Sequence, residues 1–200
     1  MKMNSKEIFS TYLKKDSSLK AEEIELICSY FQEEFSEKET PLFAAGSKYK
    51  KIVFVIDGIL SVFVIDNKGE EILKNFIEPG SFFADIESFE KNQNSMINLS
   101  TITDCTLLTL TKSDSDKLIN QLPKWEYLIK AGAMQAMNDM IRKQEFLRIG
   151  DASEQYQYFL KHFPLLVQQL PLKYIASYLR ITQSSLSRIR KMPETNQTAY

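Results

Sequence analysis

The residues best equipped to do chemistry lie near the C-terminus, in the stretch YIASYLRITQSSLSRIRK from Tyr174 to Lys191. It carries Arg180, Arg188, Arg190 and Lys191, with Lys173 just before it, and no carboxylate. The chemistry on offer is non-covalent recognition of a polyanion. Gln makes bidentate contact with adenine, Arg with guanine, and Ser reaches base edges or phosphates. The apolar pattern says which side chains are free to do this. Ile175 and Leu179 lie one turn apart, Ile181 falls at a turn, and Leu186 and Ile189 take the inner face of a second helix. Ala176 sits where the two helices cross, at a point where a larger side chain would push them apart. Thr182 suits the N-cap of the second helix.

The outward face is left with Gln183, Ser184, Ser185, Ser187, Arg188 and Lys191, and the stretch reads as a helix-turn-helix that enters the major groove of double-stranded DNA. Arg180 stands where the turn commonly has glycine, and a left-handed conformation there costs about 1 kcal/mol or somewhat more. Either the turn takes another shape, or Arg180 accepts that cost and sets its side chain against a phosphate. Lys173 and Arg190 add salt-dependent, sequence-independent affinity.

The charge distribution agrees. The formal net charge is only -1, yet six of the 25 basic residues fall between Gln155 and Pro193, where there is no acid. One end of the chain suits a polyanion and the other does not. Enzymatic chemistry has little support, for there is no nucleophile with a base, no phosphate loop and no carboxylate pair in a suitable setting. The single histidine, His162, builds neither a metal cluster nor a Ser/His/Asp system. Cys28 and Cys105 belong to no C-x-x-C pair and read as small buried hydrophobes. No metal or cofactor is expected. No apolar run approaches the roughly 18 to 20 residues that cross a bilayer, and the N-terminus lacks the apolar block of a signal peptide. The expectation is a cytoplasmic chain that keeps clear of the membrane.

The elements that position this face follow from periodicity. Ser5 to Glu39 reads as one or two amphipathic helices, with Ile24, Ile27, Cys28, Phe31 and Phe35 at helical spacing. From about Thr40 to Leu110, β-branched and aromatic runs are punctuated by Asp57-Gly58, Asn67-Lys68-Gly69 and Pro79-Gly80. This predicts short antiparallel strands rolled into a barrel or sandwich. The helical period returns from Ser113 to Ile149, broken at Pro123, and its stripe of Trp125, Ile129, Gly132, Ala133, Ala136, Met137, Met140 and Leu147 contains unusually small residues. Such a stripe needs a cover: the chain's own β domain, or, as the preferred reading, the same helix of a second subunit. Gly150 stops that helix. Asp151 and Glu154 form a capping box for the next, PLLVQQLP reads as a small strand or hairpin, and Pro171 opens the basic segment.

This order of parts, with GSFFADIESF (Gly80 to Phe89), TDCTLLTL (Thr103 to Leu110) and IASYLRITQSSLSRIRK, resembles the Crp/Fnr family of bacterial transcription regulators. The resemblance implies an α+β fold: an antiparallel β roll of the jelly-roll type, akin to cyclic-nucleotide-binding domains, with flanking helices (residues 1–112). A long dimerisation helix and hinge (113–150) and a C-terminal winged helix-turn-helix domain (151–200) follow. It implies a homodimer that reads DNA through Gln183, Ser184 and Arg188, with RNA polymerase as a further candidate partner. The dimer interface falls on Trp125, Ile129, Gly132, Ala133, Ala136, Met137 and Met140. The family's effector pocket falls on Phe82, Phe83, Asp85, Ile86, Ser88, Ser95 and Met96.

There the sequence departs from the family. Members that bind cyclic nucleotides carry Gly-Glu-Leu and, about ten residues later, Arg-Ser/Thr-Ala, whereas this chain has Ala84-Asp85-Ile86 and Ser95-Met96-Ile97. No realignment supplies the arginine, since the first in the chain is Arg142. Lys91 replaces its charge but not its bidentate fork. Cyclic AMP is therefore not the expected effector, two distant cysteines do not hold an iron–sulfur cluster, and the β domain has no histidine for haem. The expected function is a dimeric, sequence-specific DNA-binding regulator with a diverged sensor. The alternative is a ligand-binding or protein-interaction module whose helix-turn-helix no longer reads DNA.

Overall fold

The turn signals between residues 40 and 110 do deliver an antiparallel roll. The structure, a computed structural model, describes residues 4–146 and 150–191, with side chains for all of these except 142–146. Two helices, α1 (Ser5–Leu13) and α2 (Ala21–Tyr30), precede the strands β1 (Gln32–Ser36), β2 (Pro41–Phe43), β3 (Lys51–Asp57), β4 (Leu60–Ile65), β5 (Glu71–Ile77) and β6 (Phe82–Phe83). The short helix α3 (Ile86–Lys91) leads to β7 (Asn98–Thr101) and β8 (Cys105–Thr111). Six helices follow: α4 (Lys112–Gln121), α5 (Lys124–Phe146), α6 (Ala152–His162), α7 (Pro164–Gln169), α8 (Leu172–Tyr178) and α9 (Gln183–Lys191).

The strands form two four-stranded sheets, in the orders β1-β8-β3-β6 and β2-β7-β4-β5, with every pairing antiparallel. Val53, Val55, Leu60, Val62, Leu99 and Leu107 face one another inside the roll. Gly58 closes the β3–β4 turn at φ +88°, and a Cβ there would fall 2.3 Å from the Asp104 carbonyl oxygen and 2.6 Å from the Cys105 Sγ. Only glycine fits that approach. Outside the roll, Phe9, Ile27 and Phe31 of the N-terminal segment pack with Phe54, Leu108 and Leu110.

Two expectations are corrected here. The helical stripe does not continue through Phe35: the chain leaves α2 at Tyr30, and Gln32–Ser36 pairs with Thr109–Cys105 of β8, so Phe35 is a strand residue, 67% exposed. The i, i+4 spacing from Phe31 to Phe35 mimics a helix, and the open edge of β8 overrides it. PLLVQQLP forms α7 rather than a strand, with Pro164 in its first turn, where a missing amide is harmless. The wing expected after the helix-turn-helix, and Leu147, lie outside the described residues. No helix among those described is long and apolar enough to cross a membrane.

Candidate nucleic-acid interface and the diverged roll pocket

The interface is built on α8 and α9. Ile175, Ala176, Leu179 and Leu186 are buried, Leu186 completely, while Ile181 and Ile189 pack partly buried against the same cluster. Thr182 Oγ1 accepts the Ser185 amide at 3.1 Å, which caps the first turn of α9. The turn between the helices has the left-handed shape that glycine favours: Arg180 sits at φ +57°. The Ile181 amide donates to the Ala176 carbonyl at 3.0 Å and the Arg180 amide to the Ser177 carbonyl at 3.1 Å. Those two bonds are the closure of a Schellman motif. Of the two options for Arg180, the structure takes the strained one.

With Leu186 inward, Thr182, Gln183, Ser184, Arg188, Arg190 and Lys191 are exposed, and Ser185 and Ser187 are half-buried. Thr182 Oγ1 lies 2.9 Å from the hydroxyls of both Ser184 and Ser185, so the face offers a linked group of hydroxyls beside the Arg188 guanidinium. Among the described residues the ion pairs involve none of Arg180, Arg188, Arg190 and Lys191. Arg188 Nη2 donates to Ser185 Oγ at 3.5 Å. Lys173 stands apart from this face, stacked over the Tyr174 ring and lining a cleft between α8 and the roll.

The pocket residues do not converge. Phe82 turns outward to the helices, 4.9 Å from Phe54 and 5.9 Å from Phe9 between ring centroids, so it lines no roll interior. Met96 is 81% exposed and Ile86 38%. Asp85 is spent as the N-cap of α3, accepting the Ser88 amide at 3.2 Å. Phe83, Ser88 and Ser95 do face inward, but Ser88 Oγ accepts the Tyr49 amide at 2.5 Å and Ser95 Oγ bridges the amide and carbonyl of Ile97. Lys91 pairs with Glu87 on its own helix.

Two residues missed in the sequence fill the space. Phe43 and Tyr49 stack at 4.1 Å, and Phe83 joins them at 6.1 and 6.4 Å. Glu34 accepts from Lys51 Nζ at 2.6 Å and from Thr109 Oγ1 at 2.8 Å nearby. Burial, and then the Glu34 charge, raises the Tyr49 phenol well above its ordinary range. The inward alternation of Phe43 with its neighbours was too short to read, because β2 has three residues.

On the long helix, Trp125 is a correction. It is 4% exposed, its Nε1 donates to Ser115 Oγ at 3.2 Å, and its ring meets Phe31 edge-on at 6.1 Å, all within one chain. Ile129 packs partly against the same core. Gly132, Ala136, Met137 and Met140 are exposed, and Ala133 is half-buried.

Comparison with known proteins places the chain. Residues 33–122 match the cyclic nucleotide-binding domain model. The cyclic AMP receptor protein of Thermus thermophilus is 24% identical over 142 residues, which is 71% of this chain and 65% of that protein, so the match spans under two-thirds of its length. Two solved structures share the fold over most of both chains. The c-di-GMP responsive global regulator CLP of Xanthomonas campestris has a TM-score of 0.68 at 18% identity, covering 86% of this chain and 90% of that one. FixK2 of Bradyrhizobium japonicum has a TM-score of 0.67 at 15% identity, covering 80% and 82%. Residues 33–122 thus match the cyclic nucleotide-binding domain family, and the chain as a whole shares the fold of these regulators.

Proposed function

We propose that this protein is a dimeric, sequence-specific DNA-binding transcription regulator of the Crp/Fnr type whose roll does not respond to cyclic nucleotide. The observation that carries the first half is the division of α9, with Leu186 wholly inside and Gln183, Ser184 and Arg188 outside beside the exposed cations Arg190 and Lys191. Gln183 and Arg188 supply base contacts, while Arg180, Arg190 and Lys191 supply phosphate contacts. The dimer rests on the exposed stripe Met134, Met137 and Ile141 on α5, which follows i, i+3, i+7 spacing. The second half rests on the stacked Phe43, Tyr49 and Phe83, on the hydroxyls of Ser88 and Ser95 already engaged, and on the missing arginine.

The test is fluorescence anisotropy with promoter fragments carrying a two-fold-related site. Half-sites about one helical turn apart are expected. Log affinity should fall linearly with log salt concentration, and Arg188→Ala should weaken operator binding by about 1–3 kcal/mol. Equal affinity for operator and bulk DNA, or no effect of Arg188→Ala, would instead favour a module that does not read sequence. Added cyclic AMP should leave the isotherm where it was.

A further inference from the structure

A β-bulge decides what covers the outer face of the roll. Along β4, Ser61, Val62 and Phe63 pair with Phe76, Asn75 and Leu73 of β5, so that Lys74 is the extra residue. In a regular strand, positions 73 and 76 point to opposite sides. The bulge brings both to the outer face, beside Ser61 and Phe63. Leu73 and Phe76 are 8% and 4% exposed, and what covers them is the C-terminal helices. Ile59 and Ile102 join the same cluster with Tyr156, Phe159 and Tyr178. Tyr178 sits at the junction, 5.3 Å from Phe76 of the roll and 5.7 Å from Phe159 of α6 between ring centroids. The backbone takes part as well: the Leu73 amide donates to Ser177 Oγ at 3.3 Å.

We propose that this seam between the outer face of β4–β5 and α8 fixes the orientation of the recognition helix, so that the reading unit is held by the roll itself rather than by a bound ligand. α8 presents Ser177 and Tyr178 to the roll and, through the Schellman turn, carries α9 with its polar face outward. The inference deepens the DNA-binding reading and rests on it for its second readout only. A held head presents both recognition helices of a dimer at a set spacing, whereas a freed head lowers the effective concentration of the second contact.

The experiment uses the full chain. Phe76→Ala should speed hydrogen exchange of the Leu73 amide about tenfold or more while the Val53 to Val55 amides stay protected, which shows the roll intact. Affinity for DNA with two half-sites should fall about tenfold, and affinity for a single half-site should not change. Unchanged exchange at Leu73, or faster exchange with unchanged two-site affinity, overturns the proposal. If Phe76→Ala melts the roll, Ser177→Ala removes the hydrogen bond without opening a large cavity, and Leu73 must still exchange faster. A wild-type chain that bound no DNA would defeat the DNA-binding reading, and exchange at Leu73 alone would then decide the docking.

Discussion

The amide of Ile181 donates to the carbonyl of Ala176 and closes the turn over Arg180, a residue with a Cβ held at φ +57°. Glycine is the ordinary occupant of such a position. Arg180→Gly should therefore stabilise the fold, by about 1 kcal/mol in denaturant titrations, because the left-handed strain is relieved. The same variant should bind DNA more weakly, with a salt slope shallower by about one unit. Opposite signs in the two measurements separate the backbone from the side chain.

Leu186 anchors α9 and is fully buried. Leu186→Ala should cost about 3 kcal/mol in thermal or chemical unfolding. Ile189→Ala should cost less, since that side chain keeps some exposure.

Trp125 is the only tryptophan, and it is buried in its own chain against Phe31. Its emission should be blue-shifted and independent of protein concentration. It should move to the red only when the roll and its N-terminal helices unfold. A shift on dilution would return this residue to a subunit interface.

The exposed stripe on α5 gives a separate prediction. Met137→Lys introduces a charge among Met134, Met140 and Ile141, all large and exposed. Sedimentation velocity should show a shift from dimer to monomer, with the unfolding of each monomer unchanged within about 0.5 kcal/mol. Binding to a two-fold operator should weaken, and binding to one half-site should not.

Two tyrosines predict the alkaline limit. Burial, followed by the charges of Tyr158 and Glu78, pushes the Tyr178 phenol up to about 12, and Tyr49 is raised by burial and Glu34. An unfolded phenol ionises near 10. Because the folded values are the higher ones, their contribution is intact below pH 10 and is lost as pH climbs toward 12, at up to about 1.4 kcal/mol per pH unit for each group. Denaturant midpoints at pH 9, 10 and 11 should fall accordingly, and Tyr178→Phe should soften the fall.

The helix-turn-helix was legible because its signals are local: Leu186, Thr182 and the cations lie within one short stretch. The roll was legible from its turns, as at Asp57-Gly58. Phe35 misled because a strand residue beside a helix can keep helical spacing. Phe82 and Phe83 are adjacent and point to opposite sides of the roll, one to the helices and one to the interior, so a shared motif could not assign both to a pocket. Leu73 and Phe76 were invisible as a pair, since the one-residue bulge at Lys74 between them breaks the alternation a strand is read by.

The cluster that joins Ile59, Leu73, Phe76 and Ile102 to the C-terminal helices bears on how the protein is handled. A fragment cut near Gly150 would bare those four side chains on one piece and Tyr178 and Phe159 on the other. Neither piece should stay soluble at the concentrations the intact chain tolerates, and preparing the roll alone should call for polar substitutions at Leu73 and Phe76.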